Sequence, residues 1–422
     1  MGWKDKLRAH RESAPVRLLY AAYSRGVRLL YRTERLTVPL EEKLVLFEAF
    51  QGRQYTCSPK ALYEQMLAEE RFADYHFLWA FTEEAERRNP MPDERTGVVR
   101  YNSRAYKLAC ARAGTIITNS MPLGFFQPRR GQRLVETWHG TPLKRLGCDI
   151  EVDSNAVNTA EEIHARYHER VKKISVLLSP SDFYTEKLTS AFDLKGAGHN
   201  VRIVQEGYPR NDFLTRYTAG QAAEIREKLG IPAGKKVILY APTFRDDEKL
   251  EKAYSYGFTL QMDFDHLLET LGEDYVVLFR PHYFVASQFD FARYAGRVIN
   301  AAEVDDVNWL YAISDLLITD YSSVFFDYAI LRRPILLYMY DLERYQNQLR
   351  DFYIDLGELP FPIVRTQEAL EREILHQLNG GFVYDEAYRR FNQTYTPRDD
   401  GQASQRVLEA LFPTKAKEDG GA

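Results

Sequence analysis

The sequence predicts an α/β fold built as two successive doubly wound domains that face each other across a cleft. Three observations carry that expectation. The chain has 422 residues, beyond the roughly 250 to 300 at which a single core stops growing. Its 45% hydrophobic and 27% charged residues, with 28 Tyr and 24 Phe, belong to ordered globular material. From residue 40 onward, short apolar, branched or aromatic runs alternate with longer helix-favouring stretches, and the series occurs twice. That is the pattern of parallel strands covered by helices on both faces.

Residues 1–39 stand apart. Up to Arg35 they hold nine Lys and Arg against Asp5, Glu12 and Glu34. Within them "VRLLYAAYSRGVRLLYR" sets Leu18, Leu19, Tyr23, Leu29, Leu30 and Tyr31 among arginines. Two readings are open: a basic amphipathic helix lying in an anionic membrane interface, or a surface helix packed on its own domain. The apolar runs are too short and too charged for a signal peptide or a spanning helix.

Residues 40–212 form the first predicted domain, with the runs "KLVLFEAF", "YHFLWAF", "GTIITNS", "RLVETW", "SVLLSPS" and "VRIVQEGYP". None alternates as a half-exposed strand does, so each reads as a buried parallel strand. The polar stretch "TAGQAAEIREKLGIPAGKK", closed by Gly230, Pro232 and Gly234, places an interdomain linker at 213–232. Residues 233–412 repeat the scheme with "KVILYAPTF", "YVVLFRPH", "RVIN", "DLLITDYSS" and "PILLYMYD". This second domain is expected to end in the amphipathic helix "GQASQRVLEALF", before a frayed tail at 413–422. Cys57, Cys110 and Cys148 are scattered without CxxC spacing, which supports neither a disulfide framework nor a cysteine zinc site and fits a reducing compartment. With a net charge of −4, no nucleic-acid partner is expected.

In such sheets ligands bind beyond the carboxyl ends of the strands, so the polar residues after each run are the candidates. In "DLLITDYSSVFFDYAIL" a strand ends at Asp320, and Ser322 or Ser323 would cap a helix running through Phe326 and Ile330. Hydroxyls, free backbone N–H groups and a positive dipole end would together hold phosphate. "LFRPHYF" adds Arg280 and His282, a guanidinium and an imidazole suited to a pyrophosphate. "LYAPTFRDD" offers Thr243 and Arg245. "WHGTPLKR" offers His139, Thr141 and Lys144 from the other half of the chain, where a neutral imidazole can take a proton from an incoming hydroxyl. Each stretch alone is as readily a local cap or a hydrogen-bonded core residue, and it is their combination that points to a site.

The ordered set "LFEAFQGRQYTCSPKALYEQM", "YNSRAYKLACARAGTIITNS", "WHGTPLKRLG", "LSPSDFYTEKLTSAF", "GYPRNDFL", "YAPTFRDD", "RPHY", "TDYSSVFFDYAILRRPILLYMYDLERY" and "DGQASQRV" covers nearly everything after residue 40. In it the chain resembles the CDP-glycerol glycerophosphotransferases of teichoic acid and capsule synthesis. That resemblance implies a GT-B fold of two Rossmann-like domains. It also implies transfer of a polyol phosphate, foremost glycerol phosphate, from a CDP-activated donor to a hydroxyl of a lipid-linked acceptor, with release of CMP. It maps the family's essential histidines onto His139 and His282 and its phosphate-contacting serines onto Ser322 and Ser323. It further implies a peripheral enzyme at the cytoplasmic face of the cell membrane. Two positions depart: Asp351 and Phe361 stand where the family has glycine, changing backbone freedom and volume and bearing on polyol or acceptor preference.

The expected mechanism makes His139 the base. Arg280, His282, Thr243, Arg245, Ser322 and Ser323 serve the donor phosphates, while Thr141, Lys144 and Asp320 line the acceptor side or cleft. No DxD motif or carboxylate cluster has metal spacing, so neither metal nor cofactor is expected. The lack of a large additional domain favours a primase or short-chain transferase over a long-chain polymerase. Two rivals remain: a GT-B glycosyltransferase using a nucleotide sugar, and a non-catalytic membrane-attached binding subunit.

Overall fold

The apolar runs gather into two separate, wholly parallel sheets. A computed structural model describes residues 14–91, 93–151, 159–196, 198, 200–243, 262–281, 283–343 and 352–413. The first sheet comprises β1 (Glu41–Glu48), β2 (His76–Phe81), β3 (Thr96–Arg100), β4 (Ala113–Thr118), β5 (Arg133–Glu136), β6 (Val176–Ser179) and β7 (Arg202–Gln205), in spatial order β3-β2-β1-β4-β5-β6-β7. The second comprises β8 (Lys236–Ala241), β9 (Tyr275–Phe279), β10 (Val298–Asn300), β11 (Leu316–Thr319), β12 (Ile335–Tyr338) and β13 (Ile363–Val364), in order β10-β9-β8-β11-β12-β13. Each order reverses once, between β1 and β4 and between β8 and β11, and each reversal opens a crevice at the strand ends.

The runs are continuous because both faces of each sheet are covered. Successive side chains point to opposite faces: Leu46 and Ile116 enter one core while Val45, Phe47 and Ile117 enter the other. In the second sheet Leu239, Leu278 and Leu317 separate in the same way from Ile238, Val277 and Ile318. The runs anticipated every described strand except β3 and β13. β3 is a half-exposed edge without a buried run, and β13 is an edge of two residues.

Four helices matter for the site: α1 (Ala14–Thr37), α2 (Cys57–Ala68), α3 (Val324–Tyr328) and α4 (Ala403–Leu411). The stretch expected to be a linker is folded into the second domain instead. Its helix Ala219–Lys228 starts with a Thr218–Gln221 capping box, and Leu214, Ile225 and Ile231 join that domain's core. α4 departs from expectation too. Val407, Leu408 and Leu411 lie in the first domain's core with Phe47 and Trp79. The Asp212 carboxylate accepts from Ala403 N at 2.9 Å and Ser404 N at 2.8 Å, placing a negative charge where the helix dipole favours one. The chain therefore crosses between domains twice, near Tyr208–Asn211 and again before α4.

α1 packs on the first domain through Val27 and Tyr31. Tyr31 is fully buried against Phe125, with ring centres 5.1 Å apart, and the Glu34 carboxylate pairs with Arg104 at 2.7 Å. The rest of its surface exposes Leu19, Tyr23, Leu29 and Leu30 as well as Arg25, Arg28 and Arg32. The segment is thus not separable from the first domain. Among the described residues no helix is long and apolar enough to cross a membrane. Tyr31→Ala is expected to cost about 3 kcal/mol, whereas Leu29→Ser should stay within about 0.5 kcal/mol. Urea unfolding of the two variants checks this, and equal midpoints would mean that α1 is not part of the core.

Candidate active site

The chain leaves β5 through an unusual turn. Trp138 adopts φ 51°, a left-handed conformation that a bulky residue takes only under constraint. Its N–H donates to Glu136 Oε1 at 2.9 Å, and its ring stacks on His139 with centres 4.4 Å apart. His139 Nδ1 lies 2.8 Å from the Asn119 carbonyl at the end of β4. A carbonyl only accepts, so Nδ1 carries the proton and Nε2 presents its lone pair. Burial, and after it the charge of Arg210, outweigh that hydrogen bond and hold the imidazole down at about 4. His139 is therefore neutral near pH 7.

A cavity of about 270 Å3 opens in front of it, lined from the first domain by His139, Gly140, Thr141 and Lys144 and from the second by Thr243, Tyr321, Ser322 and Ser323. Six of the residues singled out in the sequence thus meet, from three segments far apart along the chain. Contact is close: a β-carbon on Gly140 would lie 2.8 Å from Ser323 Oγ, so glycine there admits the second domain. The serines are less occupied as caps than their position suggested. Ser323 makes no side-chain capping bond, and Ser322 Oγ is 3.5 Å from Val324 N. α3 is also shorter than expected, continuing only as a 3-10 turn to Leu331.

Other candidates take different places. Asp320 is buried beneath the cavity, where its Oδ1 accepts from Thr243 N and Tyr321 N at 2.9 and 2.7 Å. It braces the ends of β8 and β11 and does not line the cleft. Arg280 also turns away from the cavity, its Nη1 donating to the Ala301 and Val304 carbonyls at 2.7 Å each. Phe361 packs within 5.8 Å of Phe325 and 4.9 Å of Phe391, ring centre to ring centre, so that departure lies in the core. Arg245, His282 and Asp351 lie outside the described residues. Among the described residues, no three His, Cys, Asp or Glu side chains gather as a metal-ion set.

The structure adds groups that sequence reasoning passed over. Arg210 and Asp327 form a buried ion pair between the domains, and Tyr208 OH accepts from Gly140 N at 2.9 Å. Arg210 and Tyr208 sit in "GYPRNDFL" and Asp327 four positions past Ser323. Each lies a few positions past a strand end or the serine pair, a place shared with many other residues and too weak a signal to single them out. Under the site, burial lifts the Glu48 carboxyl to about 7 despite its hydrogen bonds from Tyr106 and Thr118.

Two Rossmann-like sheets meeting at their carboxyl ends, with the site between them, define a GT-B-type protein. The chain belongs to the CDP-glycerol:poly(glycerophosphate) glycerophosphotransferase family, whose sequence model matches residues 29–413. It is 36% identical over 380 residues to a teichoic acid poly(glycerol phosphate) polymerase of Bacillus subtilis (strain 168), covering 89% of this chain and 49% of that one. The chain thus spans about half the length of that relative. It is 35% identical over 391 residues to a teichoic acid glycerol-phosphate transferase of Staphylococcus aureus (strain NCTC 8325 / PS 47), covering 91% and 96%. Among solved structures, the wall teichoic acid polymerase TagF superposes with a TM-score of 0.83 at 34% identity, over 94% of this chain and 95% of that one.

The raised Glu48 carboxyl has a consequence for stability. Folded Glu48 keeps its proton up to about 7, while the unfolded chain releases it near the ordinary 4.5. Wild-type stability should therefore lose ground as pH rises from about 4.5 to about 7. Glu48→Gln removes that loss, so its stability advantage should grow across this window and level off above it. Urea unfolding at several pH values measures the difference, and a constant difference would show that the carboxyl is ionised throughout.

Proposed function

We propose that this protein transfers a polyol phosphate, foremost glycerol phosphate, from a CDP-activated donor to a hydroxyl of a lipid-linked acceptor in teichoic acid synthesis, releasing CMP. The observation that carries the proposal is the cavity lined both by His139, in the tautomer that keeps its lone pair on Nε2, and by Ser322 and Ser323. Family membership supports the donor class, as does the polymerase and transferase chemistry named for the relatives. One matched TagF structure was soaked with CDPG.

In this reading the acceptor oxygen forms a new bond to the phosphorus that carries the polyol, and the bond from that phosphorus to the bridging oxygen of the anhydride breaks. CMP takes the bonding electron pair. His139 Nε2 accepts the acceptor's hydroxyl proton as its oxygen attacks. The hydroxyls of Ser322 and Ser323 donate to phosphate oxygens, and Lys144 adds a cation to the same cavity, stabilising charge as CMP departs. Closure of the cleft around these groups excludes water, which would otherwise compete as acceptor. The reading calls on no cofactor or resident metal.

The test is turnover with CDP-glycerol, CDP-ribitol and UDP-sugars, following CMP and UDP release. His139→Ala should lower kcat by about 10² to 10⁴-fold with donor KM nearly unchanged. The double change Ser322→Ala with Ser323→Ala should chiefly raise donor KM. UDP release alone would make the protein a glycosyltransferase, and donor binding without turnover would make it a binding subunit.

The reading also places the protein peripherally on the cytoplasmic face of the membrane, because α1 exposes both leucines and arginines. Each cation near an anionic surface contributes about 1 kcal/mol, screened within a Debye length. Leu19→Ser, Leu29→Ser and Leu30→Ser together should weaken co-sedimentation with anionic vesicles and leave the unfolding midpoint in place, and added salt should weaken it further. Undiminished binding by the triple variant would move the membrane contact elsewhere.

A further inference from the structure

We infer that Arg210 is a positioning residue for the transfer, one that holds the loop bearing His139 and the segment bearing Ser322 and Ser323 in a single register. The inference rests on the proposed role of His139. Its basis is one peptide group. The carbonyl of His139 and the N–H of Gly140 belong to the same peptide plane, and both ends of that plane are held from the segment after β7. Arg210 Nη1 donates to His139 O at 2.6 Å, and Gly140 N donates to Tyr208 OH at 2.9 Å. The plane cannot rotate without breaking one of the two bonds, so the imidazole attached to it is aimed.

The same guanidinium reaches the other domain. Its Nη2 pairs with Asp327 Oδ2 on α3, and the neighbouring Asn211 Nδ2 donates to Asp327 Oδ1 at 3.1 Å. α3 follows directly on Ser323, whose hydroxyl already abuts Gly140. Arg210 therefore touches the histidine's peptide with one nitrogen and the serine-bearing helix with another. The planar guanidinium fixes the angle between those two contacts, which a lysine ammonium on a flexible stem does not. Its own orientation is set by the Tyr208 ring, 4.6 Å away, and by Asn308 Nδ2, which donates to the Arg210 carbonyl.

Among the described residues, the ionisable groups around the histidine loop include Arg210 and Tyr208 from the segment after β7, Cys57 at the start of α2, Glu136 at the end of β5, Lys144 further along its own loop, and Tyr321 and Asp327 across the interface. Arg210 is the one that both contacts the His139 carbonyl and depresses the imidazole's basicity.

The experiment uses the full chain with Arg210→Gln, Arg210→Lys and the double variant Arg210→Gln/Asp327→Asn, which leaves no unpaired buried charge and so guards against simple unfolding. Two readouts are taken: steady-state kinetics with CDP-glycerol and a soluble acceptor, and NMR titration of His139, assigned by its loss in His139→Asn. All three variants should lower kcat by about 10 to 100-fold, the scale of a misplacement near 1 Å, with donor KM within about threefold. The His139 titration should move upward from about 4 in the Gln variants and less in the Lys variant. Folded variants with wild-type kcat, a loss confined to donor KM, or a His139 titration unmoved in Arg210→Gln would each overturn the inference. If His139→Ala itself kept its kcat, the base assignment would fall, while the NMR titration would still decide whether Arg210 controls that imidazole.

Discussion

The pair between Arg210 and Asp327 joins the domains at the point where both present their cavity residues. Its side chains are only 9% and 5% exposed. Taking two charges out of water costs several kcal/mol per ion, and a well-packed apolar pair of similar volume would hold the domains at least as firmly. What an apolar pair lacks is direction. Both carboxylate oxygens of Asp327 are bonded from consecutive residues, Arg210 and Asn211, so the helix that carries Asp327 can neither slide nor roll against the first domain without losing a charge-assisted bond.

Further ties frame the cleft on either side. Lys60 on α2 pairs with Asp306 at 2.9 Å and lies over the rings of Tyr55 and Trp309, 5.5 and 5.3 Å from their centres. Near the cavity, Lys144 bridges to Phe352, and Leu146 N donates to Tyr353 OH at 3.2 Å. The return of α4 to the first core adds an apolar tie to these polar ones. The cavity lies among these contacts, where the loops after β8 and β11 of the second sheet meet the loop after β5 of the first. In the second sheet β8 and β11 flank the point where strand order reverses and send their loops apart, and the space between those loops is closed from the other side by the first domain.

Much of this was legible in the sequence. Buried strands declare themselves as unbroken apolar runs, which is why "KVILYA" and "YVVLF" were unambiguous while "TGVVR", half-exposed on an edge, was not. His139, Ser322 and Ser323 were visible because each ends such a run. Arg280 and Asp320 stand out for the same reason yet do not line the cavity: a strand end supplies polar residues to brace the sheet as well as to meet a ligand, and only side-chain direction separates the two. Arg210 could not be read at all. Its partners His139 and Asp327 are 71 and 117 positions away, and a residue that acts by joining distant segments leaves no local pattern. α4 and the 213–232 stretch were assigned by sequence proximity, whereas their apolar faces are satisfied by whichever core the chain reaches.

The stretch "ETWHG" shows how local strain and long-range contacts serve one outcome. Trp138 in a left-handed conformation costs on the order of 1 to 3 kcal/mol and persists only where surrounding contacts over-determine it. Here Glu136 accepts its N–H, Thr137 N donates to the Thr118 carbonyl at 2.8 Å, and Phe192 meets the indole edge with ring centres 5.1 Å apart. If Trp138 relaxed to an extended conformation, the following imidazole would swing away from Asn119, and Nδ1 would lose the acceptor that fixes its tautomer. The glutamate thus holds the turn, the tryptophan bends it, the histidine keeps the tautomer with its lone pair on Nε2, and the glycine lets Ser323 come within reach. Burial pushes the Glu136 carboxyl well above the usual range, so the same burial favours the uncharged form of the group that anchors the turn and of the imidazole it helps to place.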